Sequence, residues 1–194
     1  MAGISLTEIF ATALAVAYLV LVIRQNVLCW PAGLVSSLLM ATTFFESRLY
    51  PETVLQLFYA AVSVYGWYRW RSGAGTAAEL RVTWWPWQRH ALSIGATLAL
   101  AAALGNVLSA NTHARFPYLD SFVSIGAVVT TYMVAKKIFE NWIYWLVVDG
   151  LSLYIHFSRE LYLYSGLDIV YLVLVVVGLV RWYRDWRAQP ALAV

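Results

Sequence analysis

The stretch ENWIYWLVVDG, residues 140–150, sets a carboxylate, Asp149, in a run of tryptophan, tyrosine, isoleucine, leucine and valine. Taking an ionised carboxylate out of water costs several kcal/mol unless a partner offsets it. Whether that cost applies depends on the solvent around the chain, and composition settles the solvent. Of 194 residues, 62% are hydrophobic and 12% charged, against about 25% charged in an ordinary soluble domain.

A membrane span needs roughly 20 apolar residues, within about 17–25. The runs 4–23, 51–70, 91–110, 118–135 and 161–182 qualify, and the shorter runs 31–45 and 142–157 are read as spans flanked by tryptophan. The expectation is an all-α membrane protein of seven transmembrane helices. Ten Trp and thirteen Tyr cluster near the ends of these runs, where aromatic belts form. Residues 1–7 contain no Lys or Arg, so the first run is expected to be a span and not a cleaved leader. Ten of the thirteen basic residues fall after the first, third, fifth and seventh spans or before the fourth. The positive-inside rule then puts the N-terminus outside and the C-terminus in the cytoplasm. The net charge of +3 therefore reflects topology, and no nucleic-acid partner is expected. LRVTWWPWQRH, residues 80–90, reads as a cytoplasmic linker with its tryptophans at the interface.

Sliding the chain against itself by 115 positions brings Asn26 onto Asn141, Trp30 onto Trp145, and Trp67-Tyr68-Arg69 onto Trp182-Tyr183-Arg184. Spans 1–3 thus resemble spans 5–7, and an odd fourth span makes both halves run in the same direction. The division is 1–70 for the first repeat, 71–117 for the linker and fourth helix, 118–187 for the second repeat, and 188–194 for a cytoplasmic tail. Parallel repeats related by an axis along the membrane normal are a known transporter plan, with the substrate between the halves near the midplane.

Asn141, Trp145 and Asp149 are spaced i, i+4, i+8 and form one helical stripe, which Ser152 and His156 extend. Asp149 lies about 12 Å along the axis from Asn141, near mid-depth of a bilayer. An intramembrane carboxylate facing the interior is a functional-site hypothesis by default. With an aromatic ring one turn away it suits a flat cationic ligand. The alternative is a structural Asp bonded to Ser, Tyr or His of a neighbouring helix. Gln56 and Tyr59 sit early in the third span, and Tyr171, in register with Gln56 at 115, lies in the seventh. These three, with Trp30 as the register partner of Trp145, complete the candidate ligand set. Asn26 and Asn141 are read equally as helix-start caps, Trp67 and Trp182 as interface anchors, and His156 as a satisfied interior histidine. No GxxxxGK[ST] loop, nucleophile set or metal cluster stands out, so neither an ATP motor nor a cofactor is expected. A membrane scaffold or membrane-embedded enzyme is the reading from another class. The first leaves the polar stripe unexplained, and the second lacks paired acids or a nucleophile.

YGWYRW at 65–70, ENWIYW at 140–145 and FFESRLYPETVLQ at 44–56 resemble the PnuC family of bacterial vitamin-precursor transporters, over nearly the whole chain. The resemblance implies a SWEET-like 3+1+3 arrangement, a homotrimer, and uptake of nicotinamide riboside by facilitated diffusion with trapping by cytoplasmic phosphorylation. It also implies a central cavity lined by Trp and Asn or Gln, matched here by Asn141, Trp145 and Gln56. One departure is Asp149, where riboside-transporting members often carry Asn. Relatives of the same fold carry thiamine, riboflavin or deoxynucleosides. Nicotinamide riboside and thiamine are both aromatic cations, and Asp149 suits either.

Overall fold

In hydrocarbon no water is present to satisfy backbone N–H and C=O groups, so apolar segments of this length close their hydrogen bonds internally as helices. The computed structural model describes residues 6–72, 80–112 and 114–189, apart from the side chain of Pro51. The start of the first predicted span (4–5), part of the predicted linker (73–79) and most of the predicted tail (190–194) lie outside the described residues. Seven helices follow in order: α1 (Leu6–Ile23), α2 (Cys29–Glu46), α3 (Tyr50–Ser72), α4 (Trp87–Asn111), α5 (Pro117–Ala135), α6 (Asn141–Ser158) and α7 (Tyr162–Ala188). They match the seven expected spans. By length and composition α1, α4, α5 and α7 suffice to cross a membrane. The other three are long enough, at about 27–35 Å, but carry more polar residues, and these are the residues of interest below.

The chain forms two compact units. The first holds α1–α3 with Val134–Lys137. Its centre is Trp30, fully buried, with its indole against Gly66 and edge-on to Trp70 at 5.4 Å and Tyr18 at 5.9 Å. Ser36 Oγ donates to the Ala11 carbonyl at 2.8 Å and ties α2 to α1. Trp70 Nε1 donates to the Ala135 carbonyl at 3.2 Å, and Lys137 sits over the Trp70 ring.

The second unit holds α4, α5 up to Met133, α6, and α7 as far as Arg187. Its centre is Trp142, also fully buried, against Gly178 and edge-on to Trp182 at 5.4 Å. Tyr118 packs on Gly105 and donates its hydroxyl to Asn106 Oδ1 at 2.8 Å, joining α5 to α4. Residues 82–86 of the expected linker form a strap. Thr83 bridges to Ile138, and Phe139 N–H donates to the Thr83 carbonyl at 2.8 Å. The buried Glu140 carboxylate accepts the Trp85 backbone N–H at 3.1 Å and His90 Nε2–H at 2.9 Å, and His90 Nδ1 faces the Tyr144 hydroxyl at 2.9 Å. Trp84 lies on Phe139 at 4.3 Å and meets Trp186 edge-on, whereas Trp87 is left exposed.

The repeat is real, but its register is 112 residues, not 115. Helices α2 and α6 begin at Cys29 and Asn141 and end at Glu46 and Ser158, in each case 112 apart. The four non-glycine residues with positive φ fall into the same register: Gln25 and Lys137 at 52°, Arg48 and Glu160 at 60°. Each terminates a helix with the same paired bonds, for example Gln25 N–H to the Val22 carbonyl and Asn26 N–H to that of Leu21. Lys137 and Ile138 repeat the arrangement with Val134 and Met133. These are Schellman ends, whose hydrogen bonds offset the cost, of order 1 kcal/mol, of a left-handed residue with a Cβ.

The matches at 115 arose because three residues is close to one helical turn, so a slip of three keeps each residue on nearly the same face. In the true register Trp30 pairs with Trp142, Gly66 with Gly178, and Trp70 with Trp182. The pairings of Trp30 with Trp145, of Gln56 with Tyr171 and of Trp67 with Trp182 are therefore replaced. Trp182, expected at the interface, is fully buried, while Trp67 is exposed. Asn26 holds the turn before α2, its Oδ1 accepting Leu28 N–H at 2.9 Å.

The tryptophan–glycine contacts predict opposite signs for one substitution. A Cβ at Gly66 or Gly178 would overlap the six-membered ring of Trp30 or Trp142, whereas nothing lies within 4 Å of a Cβ at Gly95 in α4. Gly66→Ala and Gly178→Ala are expected to destabilise by about 1–3 kcal/mol through overpacking. Gly95→Ala should be neutral or stabilising by up to about 1 kcal/mol, since Ala is the better helix former. Melting temperatures of the three purified variants in detergent test this, and equal shifts would rule it out.

Candidate functional site

The seven expected ligand residues divide between the units. Trp30, Gln56 and Tyr59 belong to the first, and Asn141, Trp145, Asp149 and Tyr171 to the second. Within the first unit Trp30 is a packing residue with no exposure, and Gln56 and Tyr59 are half-buried on α3.

In the second unit the α6 stripe forms as expected. Asn141 and Asp149 are buried and Trp145, Ser152 and His156 half-buried, while Ile143, Val147 and Tyr154 on the other face are exposed. Helix α7 buries Ser165, Asp168, Val175, Gly178 and Trp182 and exposes Ile169, Val173 and Val176. The period of both helices thus turns Asn141, Asp149, Ser165 and Asp168 inward and Ile143, Val147, Ile169, Val173 and Val176 outward.

Asn141 opens α6, and its Nδ2 donates to the Ile138 carbonyl at 2.6 Å. It does not cap the helix: Glu140 holds the cap position, with no side-chain cap bond. Among the described residues, the Oδ1 of Asn141 and the Nε1 of Trp142 are buried without a hydrogen-bond partner, as are the Tyr18 hydroxyl and Trp30 Nε1 in the first unit. Buried polar atoms of this kind cost about 1–3 kcal/mol each.

Two turns further along α6, Asp149 is 9% exposed, and among the described residues no donor reaches its carboxylate. Asp168 and Tyr171 on α7 lie within electrostatic reach of it. Asp168 is occupied, because His156 Nδ1 meets its Oδ2 at 2.6 Å. A carboxylate only accepts, so the proton of that bond sits on Nδ1. His156 is therefore the satisfied interior histidine expected from the sequence, and the described residues contain no group of three His, Cys, Asp or Glu able to hold a metal. At the far end of α6, Arg159 donates to Asp120 at 2.5 Å and Arg115 to the Ser158 carbonyl at 2.5 Å, both guanidinium groups flanking Phe116. The alternative reading of Asp149, a carboxylate tied to a neighbouring Ser, Tyr or His, is not realised, since the tied carboxylate is Asp168.

Sequence reasoning missed Asp168, Trp142 and Tyr18. The signal was there in the spacing Trp30–Gly66–Trp70 against Trp142–Gly178–Trp182. That register sets Asp168 opposite Gln56, Tyr171 opposite Tyr59 and Asp149 opposite Ser37.

Comparison with known proteins follows the same lines. The riboflavin/roseoflavin transporter RibM of Streptomyces davaonensis is 29% identical over 96% of this chain and 89% of its own length. The nicotinamide riboside transporter PnuC of Escherichia coli is 26% identical over 84% of this chain and 78% of its own. The crystal structure of the vitamin B3 transporter PnuC superposes with a TM-score of 0.75 at 20% identity, covering 95% of this chain and 83% of that one, and so shares the fold. These relatives are membrane transporters, not enzymes. The model of the nicotinamide mononucleotide transporter family matches residues 5–184, essentially all seven helices, and the chain belongs to that family.

Proposed function

We propose that the chain takes up nicotinamide riboside across the bacterial inner membrane, with Asp149 as counter-charge to the pyridinium and Trp145, one turn away, as the stacking face. The observation that carries this is the bare carboxylate of Asp149, buried in a span with no donor among the described residues. A cationic ring supplies the charge that the protein itself withholds. Asn141 Oδ1 and the half-buried Tyr171 add polar contacts on the same side. Thiamine, also an aromatic cation, satisfies the same chemistry. Riboflavin, suggested by the likeness to RibM, brings no positive charge and leaves Asp149 unanswered.

The remaining parts of the proposal rest on sequence. The arginine and lysine distribution puts the C-terminus in the cytoplasm. Transport is facilitated diffusion through a homotrimer, with phosphorylation in the cytoplasm trapping the product.

Three measurements test this. Stabilisation of the purified protein by nicotinamide riboside, thiamine and riboflavin should be largest for the riboside, about 2.7 kcal/mol at 100 times Kd. A larger response to riboflavin than to either cation would overturn the cationic reading. Asp149→Asn should weaken riboside binding roughly 5–150-fold, the equivalent of about 1–3 kcal/mol for a desolvated charge contact. Trp145→Ala should weaken it as well and Trp145→Phe much less, all three with melting temperatures near the parent. Unchanged dissociation constants in Asp149→Asn and Trp145→Ala would remove the stripe from the site. In proteoliposomes, labelled riboside should equilibrate without ATP, and concentrative uptake driven by a proton or sodium gradient would exclude facilitated diffusion.

A further inference from the structure

The strap at 82–86 has no part in the transport reading, yet it closes on the residues immediately before Asn141. We propose that Glu140 and the strap are positioning elements of the transport site. They hold the Asn141 amide with its oxygen free for the ligand, so that the site selects a ring bearing a carboxamide N–H over one of like shape and charge without that donor. The proposal rests on the α6 stripe being the ligand site.

The bonds run through a single peptide unit. Its N–H, on Phe139, donates to the Thr83 carbonyl of the strap at 2.8 Å. Its C=O, on Ile138, accepts the Asn141 side-chain N–H at 2.6 Å. A carbonyl only accepts, so the amide nitrogen of Asn141 must face it and the amide oxygen must turn away. That oxygen is the buried Oδ1 without a partner among the described residues. The plane of the 138–139 peptide thus sets the orientation of the amide, and the strap sets the plane.

Glu140 anchors the strap. Its buried Oε1 accepts both the Trp85 backbone N–H at 3.1 Å and His90 Nε2–H at 2.9 Å. His90 lies in the first turn of α4, so one oxygen joins the strap, α4 and the start of α6. His90 Nδ1 meets the Tyr144 hydroxyl, which can donate or accept, and the chain of bonds closes in either protonation state of the ring. The register of 112 gives an independent argument. In the first repeat Leu28 stands at the position of Glu140 and is exposed, and Cys29 stands at the position of Asn141. The anchor and the amide it orients are both features of the second repeat alone.

A site built around a donor on its ligand rejects the analogue that lacks it, because a buried acceptor is left unpaired. The ribose hydroxyls of nicotinamide riboside both donate and accept, whereas its carboxamide N–H only donates, so a lone carbonyl oxygen discriminates at the carboxamide. The acetylpyridine analogue of the riboside keeps the ring, the cation and the carbonyl and carries a methyl in place of the amino group. The parent protein should bind nicotinamide riboside roughly 5–150-fold more tightly than this analogue, measured as dissociation constants of the purified protein. Asn141→Leu and Glu140→Ala should bring the ratio close to one. Glu140→Gln, whose amide oxygen can take the place of Oε1 for both donors, should keep it. If Glu140→Ala does not fold, His90→Phe, which leaves Glu140 only the Trp85 bond, takes its place and should lower the ratio. A purely structural anchor would lower the melting temperature and weaken both ligands together. A ratio that stays at the parent value in Glu140→Ala overturns the proposal, as does a parent ratio of one. If Asp149→Asn leaves both dissociation constants unchanged while Glu140→Ala removes the discrimination, the role of the strap stands and the reading of Asp149 as counter-charge fails. If Asp149→Asn weakens both ligands and Glu140→Ala leaves the ratio alone, that reading stands and only the role of the strap is lost.

Discussion

Each unit turns on an indole laid against a glycine. In lipid the hydrophobic effect gives helices no reason to associate, because acyl chains are as apolar as leucine, and association rests on close packing at small residues. Trp30 on Gly66 and Trp142 on Gly178 are that packing here, each braced edge-on by a second tryptophan one turn beyond the glycine. An aromatic pair in this geometry contributes about 0.5–1.5 kcal/mol beyond the area it covers. The contact fixes how closely α6 approaches α7 and at what rotation. It therefore decides that Asp168 and Tyr171 come within reach of Asp149.

The two repeats keep this geometry and differ in chemistry. Helix ends, left-handed terminating residues and tryptophan–glycine contacts recur at one register. The residues around them do not. In the first repeat Tyr18 is large and Gly33 small, and a Cβ at Gly33 would meet the tyrosine ring at 2.9 Å. The register partners are Thr130 and Trp145, small and large. The bulk has changed helix between repeats, and Trp145 lies half-buried on α6. The charges are likewise on one side only, since Asp149, His156 and Asp168 have no charged counterpart among Ser37, Phe44 and Gln56. The strap at 82–86 adds a further asymmetry: Glu140 holds it through His90 and the Trp85 backbone, anchoring the start of α6 immediately before Asn141.

Much of this was legible in the sequence because lipid is an unforgiving solvent. Apolar runs of span length must be helices, so seven of them, and the inward stripe of Asn141, Trp145 and Asp149, follow from composition and the 3.6-residue period alone. Three things did not follow. The repeat register was misread by three residues, since a slip close to one turn preserves the face that pattern reasoning detects. The burial of Trp182 was misread because an indole near a span end fits an interface belt as well as a glycine on a neighbouring helix. Which carboxylate stays bare was beyond the sequence altogether. Asp149 and Asp168 are both acids in oily segments, and only the approach of α6 to α7, set by Trp142 on Gly178, brings His156 to Asp168 and leaves Asp149 without a donor among the described residues. Local pattern determined the helices and their polar faces, whereas the pairing of charges depended on distances between helices, which packing alone sets.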